Sequence, residues 1–154
     1  MRRIALFAAL AAMALLGAQS QASAQTAAPA AAAATTGTVT VTMRGLKPGK
    51  GALVLMLFNS DRDYETSKPL QSSKTDVTAS SMQVSFSDLP PGQYAIKAFY
   101  DVDNNGALDP SVDGLGFSNH ASASDLNNTP NFSAAQFAVK PGQNNQQISF
   151  SFFH

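Results

Sequence analysis

"YAIKAFYDVDNNGALDP", residues 94–110, carries both the structural and the chemical content of this chain. Its first seven residues alternate. Tyr94, Ile96, Ala98 and Tyr100 fall on one side of an extended chain and Ala95, Lys97 and Phe99 on the other, the period of two that marks a β-strand. The strand then runs straight into a loop with acidic or amide side chains at Asp101, Asp103 and Asn105, glycine at 106 and a further acid at Asp109.

The same alternation recurs on both sides. "TVTVTM" (38–43) places Val39, Val41 and Met43 on one face, and "SMQVSFSDL" (81–89) places Met82, Val84 and Phe86 inward. "ALVLMLF" (52–58) is apolar on both faces, as in a central strand covered twice. "AQFAVKPGQNNQQISFSFF" (135–153) gives two last strands around a "KPGQNN" turn, with Phe137 and Val139 in the first and Ile148, Phe150 and Phe152 in the second. "NSDRDYETSKPLQSS" (59–73) has no period of two and is expected as a long connection holding a short helical turn, with Tyr64 and Leu70 tucked beneath it. Short strands, turn chemistry between them and no long helical pattern predict an all-β fold, an antiparallel β-sandwich.

The N-terminus has two arginines, an apolar run of 15 residues from Ile4 to Ala18, and the small-residue tripeptide Ala22-Ser23-Ala24. This is the pattern of a secretory signal peptide over 1–24, cleaved after Ala24. The competing reading, an uncleaved anchor, needs roughly 20 apolar residues. Residues 25–36, "QTAAPAAAAATT", read as a disordered Ala/Pro spacer, with a frayed helical turn as the alternative. The β-sandwich domain is expected over 37–154, long enough to bury a core unaided.

There is no cysteine, which excludes disulfides and a diacylglyceryl anchor. Without Arg2 and Arg3 the chain has eight Lys and Arg against ten Asp and Glu. No basic cluster stands out, so nucleic acid and anionic membrane partners are not expected, and no membrane insertion after signal cleavage. Export to the periplasm or beyond is the expected destination.

Calcium takes six to eight oxygens, and a loop delivers them from alternate positions around a glycine bend. Asp101, Asp103, Asn105, the carbonyl of Ala107 and Asp109 fit the first half of such a loop. The second half departs from it: the twelfth position is Val112, with Asp113 one residue late, and Pro110 blocks a following helix. A strand-flanked loop can close its shell with a later carboxylate, and Asp113 is the candidate. Like charges about 5 Å apart repel by roughly 1 kcal/mol in water and about 3 kcal/mol at an effective dielectric of 20, so gathered carboxylates gain from a cation. The plainer reading is a solvated polar turn, since Asp, Asn and Gly are what turns are made of.

Ser118, Asn119 and His120 invite a nucleophile and base reading, but adjacent residues on a strand point oppositely, which is poor geometry for a triad. Two isolated histidines, His120 and His154, supply no zinc set. Tyr94, Phe99 and Tyr100 read as core before they read as a sugar-stacking surface.

"SFSDLPPGQYAIKAFYDVDNNGALDPSVDGLGFSN" (85–119) resembles a bacterial family of exported proteins, the domain of unknown function 2141. The likeness rests on Leu89 to Ala95, the acidic loop Asp101 to Asp109, and the tetrapeptide Gly116 to Asn119. It extends more weakly from Gly37 to Phe153. The resemblance implies a transthyretin-like or immunoglobulin-like sandwich and no established activity. Members often carry Pro-Lys-Glu-Gly just ahead of the tetrapeptide, where this chain has the shortened stretch "SVDGLGFSN" (111–119). The strand-to-loop passage is also similar to calcium-binding repeat domains of bacterial surface adhesins. The expected function is therefore an exported, non-enzymatic module, calcium-stabilised, that binds a cell-envelope protein or glycan. The alternative is a small hydrolase or carrier using the loop Gly116 to His120.

Overall fold

The computed structural model of the chain describes residues 35–153 apart from Pro110 and Leu126. The expected signal segment 1–24, the spacer up to residue 34, the helix-blocking Pro110 and the terminal His154 lie outside the described residues.

Among the described residues nine strands and two short helices follow in the order β1 (Gly37–Arg44), β2 (Ala52–Phe58), α1 (Asp61–Glu65), β3 (Gln71–Asp76), β4 (Ser81–Leu89), β5 (Gly92–Asp101), β6 (Gly114–Phe117), α2 (Phe132–Ala135), β7 (Phe137–Val139), β8 (Gly142–Ile148) and β9 (Phe150–Phe152). They form two packed sheets, an all-β sandwich. One sheet has three strands in the order β4-β1-β8. The other has six, in the order β3-β2-β5-β6-β9, with β7 paired to the start of β5. All pairings are antiparallel except β1 with β8, which run parallel.

The inward residues of both sheets make the main core. Val39, Val41 and Met43 from β1 meet Leu53, Leu55 and Leu57 from β2 and Tyr94, Ile96, Ala98 and Tyr100 from β5, all buried. The β1 and β5 sets are the ones that the period of two groups on one face, while in β2, apolar on both faces, the fold picks Leu53, Leu55 and Leu57 for the main core. At about 25 cal/mol per Å² of apolar surface removed from water, this is the main force holding the sheets together.

A smaller cluster lies on the other side of the six-stranded sheet, where Phe58, Ala95 and Phe117 pack against Tyr64 of α1 and Phe132 and Ala135 of α2. Ser60 caps α1 by accepting from Asp63 N at 3.2 Å, and Asn131 caps α2 by accepting from Ala134 N at 2.9 Å. Tyr64 is buried as the sequence suggests, with its ring edge-on to Phe58 and Phe132.

Four features correct the sequence reading. Residues 71–73, the end of the expected connection, open the edge strand β3 (71–76), which pairs with β2 from a sequence with no apolar alternation. Leu70, expected under that connection, is 50% exposed. Residues 114–117, expected as loop, form β6. The last strand is two: β8 begins inside the expected "KPGQNN" turn and lies along β1, and after Ile148 the chain crosses to the other sheet, where Phe150–Phe152 pairs with β6.

Candidate metal centre

The six-stranded sheet ends, on the β5 side, at the acidic loop. Asp101 closes β5 opposite Ala52, and the preceding Gly51 sits so close that a Cβ there would stand 2.0 Å from Asp101 O. Only glycine fits, which fixes where the loop departs.

From that root the loop turns back on its own side chains. Asp101 Oδ1 accepts from Asn105 N at 3.1 Å and its Oδ2 from Gly106 N at 2.9 Å. Asp103 accepts from Asn105 N at 3.2 Å and from the Asn105 amide Nδ2 at 2.7 Å. Asn104 and Gly106 adopt the left-handed backbone that the bend requires, with φ of 59° and 79°. The far end is pinned by Asp113, which accepts from Val102 N at 2.8 Å and Asp109 N at 2.7 Å.

The result is a gathering of charge. One carboxylate oxygen from each of Asp101, Asp103 and Asp113 lies within 4.8 Å of the other two. Asp101 and Asp113 are fully buried, while Asp103 is exposed. Two oxygens that share an ion at about 2.4 Å from each can stand at most about 4.8 Å apart, so the spread is one that a single calcium ion spans. The hydrogen bonds alone would describe a well-formed polar turn. Convergence of three acids, two of them out of water, is a further fact. Each carboxylate has about four lone-pair positions, so accepting two N–H groups leaves capacity to ligate.

The other expected donors sit in the same turn with different partners. Asn105 Oδ1 accepts from Ala107 N at 2.7 Å. Asp109 Oδ1 accepts from Ser111 N at 2.9 Å and Ser111 Oγ at 2.6 Å, and these bonds hold its carboxyl below the usual carboxylate range. Asp113, one residue late for the helix-flanked pattern, is the acid that closes the loop.

The second stretch singled out by sequence, Gly116 to His120, is built differently. Ser118 is fully buried; its Oγ accepts from Ile96 N at 2.8 Å and donates to Ala135 O at 2.5 Å, tying β5 to α2. Asn119 donates from N to Gln146 Oε1 and from Nδ2 to Ala134 O, both at 3.1 Å. His120 is exposed and borders an open groove of about 510 Å³ whose described lining residues, Ser122, Ser124, Asn128 and Thr129 among them, include no carboxylate.

Sequence reading passed over Lys97. It stands on the face of β5 turned away from the core, with its Nζ 4.0 Å from the centre of the Tyr64 ring, 5.4 Å from that of Phe58, and 2.5 Å from Tyr64 O, to which it donates. Burial lowers its pKa, against the opposing charge of Glu65. The available signal was a lone cation on a strand face otherwise made of Ala95 and Phe99.

Among the described residues no helix is long and apolar enough to cross a membrane. No curated protein and no solved structure matches the chain. The bacterial family described as "Uncharacterized protein conserved in bacteria (DUF2141)" matches residues 20–148, and the chain belongs to it.

Proposed function

We propose that this protein is an exported, non-enzymatic β-sandwich module that binds a cell-envelope protein or glycan and is stabilised by calcium held at Asp101, Asp103 and Asp113, with Asn105, Ala107 and Asp109 shaping the loop around them. The observation that carries the cation is the 4.8 Å convergence of three carboxylates, two of them fully buried. Export is supported by the N-terminal pattern of arginines, apolar run and small residues over 1–24. In an exported setting the cation is abundant, and a weak site, of the order of 0.1 to 1 mM, suffices to be filled.

A ligand that binds only the folded state raises stability with its concentration, by about 2.7 kcal/mol at a hundredfold excess over Kd. The expected result is a melting temperature that climbs with millimolar calcium, climbs less with magnesium, and does not respond in Asp103→Ala. Asp103 is exposed, so this variant tests the site without emptying the core. A parent protein indifferent to calcium and to chelator removes the cation from the proposal.

The hydrolase or carrier reading at the loop Gly116 to His120 has less support. Its nucleophile would have to abandon two backbone partners inside the fold.

A further inference from the structure

The side of the six-stranded sheet turned away from the core is only half covered. Near Phe58 and Phe117 it is sealed by α1 and α2. Farther along, Met56 of β2 lies beside Lys97 of β5, Lys97 beside Phe117 of β6, and Phe99 beside Leu115. These side chains, with Leu108 reaching over from the acidic loop, enclose a cleft of about 250 Å³. Met56, Phe99 and Leu115 are half-buried and Leu108 is 43% exposed, so apolar surface remains open to solvent. Lys97 supplies the only charged group among the described lining residues.

The chemistry of the occupant follows from that cation. An ammonium has three donors. On Lys97 one goes to Tyr64 O, the rings of Tyr64 and Phe58 flank the group, and the Glu65 carboxylate acts on its charge without outweighing the effect of burial. Two donors remain for an acceptor, in a setting where burial already penalises the bare charge. An anion placed there is compensated by charge, and an apolar tail attached to it covers Phe99 and Leu115. The volume lies below the range of roughly 300–1,000 Å³ typical of drug-sized ligands, so it suits one ring or a short acyl chain.

We propose that this cleft binds a small organic carboxylate, a short-chain or single-ring acid, with its carboxylate on Lys97 Nζ and its apolar body on Phe99 and Leu115 beneath Leu108. The site is separate from the carboxylate cluster and does not need the cation.

The test is calorimetric titration of the folded domain with hexanoate, and with hexanol as the uncharged control, in chelator so that the loop's ion plays no part. Saturable binding of hexanoate is expected, with hexanol weaker by about tenfold and Lys97→Met, which keeps the stem and removes the charge, reduced by a similar factor. Leu108→Ser, at an exposed position that leaves the core alone, is expected to weaken hexanoate several-fold while leaving the melting temperature unchanged. Absence of hexanoate binding in the parent, or equal binding of hexanoate by Lys97→Met, overturns the assignment. So does a concentration-dependent dimer that Leu108→Ser abolishes, which would give the cleft to a second copy of the chain.

Discussion

The two sheets share one core and part company on their outer faces. The three-stranded sheet turns Gln83, Ser85, Asn145 and Gln147 to water, and its outward contacts are of the kind Thr40 Oγ1 makes with Ser85 Oγ at 3.2 Å. The six-stranded sheet turns Met56, Phe99 and Leu115 outward, carries both helices over Phe58 and Phe117, and ends at the acidic loop. One sheet closes the sandwich; the other gathers everything with chemistry. A polar face needs only water to satisfy it, whereas an apolar one demands a cover, and the segments that cover it bring loops, helix caps and a lysine into one region.

The largest break in that comparison comes from Gly51→Val at the root of the acidic loop. A side chain there collides with Asp101 O and holds a left-handed backbone, φ 72°, that valine resists. We expect a loss of about 3 kcal/mol or more in chemical denaturation. Gly45→Val is the control. It has a similar φ of 77° but nothing within 4 Å of its Cβ, so only the backbone strain applies, about 1–2 kcal/mol. Equal losses at the two glycines would mean that the loop root is not crowded.

A smaller effect separates the two outer faces. Tyr64→Phe removes the bond from Tyr64 Oη to Pro130 O, 3.0 Å, which ties α1 to the segment leading into α2, at about 1 kcal/mol. The same variant changes the alkaline limb of stability. Burial pushes the Tyr64 and Tyr94 phenols above their ordinary value, so above about pH 10 the unfolded chain loses protons that the folded one keeps, and stability falls as pH rises. Lys97, whose pKa is lowered, acts oppositely below that range: the folded form releases its proton first, and stability rises with pH until the unfolded lysine titrates. Tyr64→Phe is therefore expected to flatten the fall above about pH 10 in denaturation midpoints followed with pH. By contrast Thr42→Val, on the polar face of β1, is expected within about 0.5 kcal/mol of the parent.

What the sequence made legible, and what it hid, follows the same division. Strands with one buried face declare themselves, and Val39, Val41, Met43, Ile96 and Tyr100 are all where alternation puts them. β3 hides because "QSSKTD" is an edge strand attached by backbone pairing. β6 hides because its glycines look like loop chemistry. They are there for space: a Cβ on Gly116 would meet Ile148 Cγ2 at 2.4 Å, and one on Gly114 would meet Phe152 Cε1 at 3.0 Å. Those neighbours are more than thirty residues away, so no local pattern reveals them. The first half of β8 reads as a turn because Gln143, Asn144 and Asn145 carry turn chemistry and are extended where they pair with β1. In the acidic loop the alternate spacing names Asp101, Asp103, Asn105 and Asp109 alike, whereas the fold brings carboxylate oxygens of Asp101, Asp103 and Asp113 together and has Asp109 accept from Ser111, a difference that spacing does not carry. Ser118 looked reactive by type and proves to be an internal tie, since only the fold reveals that its hydroxyl faces Ile96 N and Ala135 O.

The most direct measurement is a crystal structure of the domain grown with calcium, with the ion located by its anomalous scattering. The account predicts one peak at about 2.3–2.6 Å from oxygens of Asp101, Asp103 and Asp113 together. A saturated solution of the ion that leaves those three carboxylates bound only to their present N–H partners would contradict it.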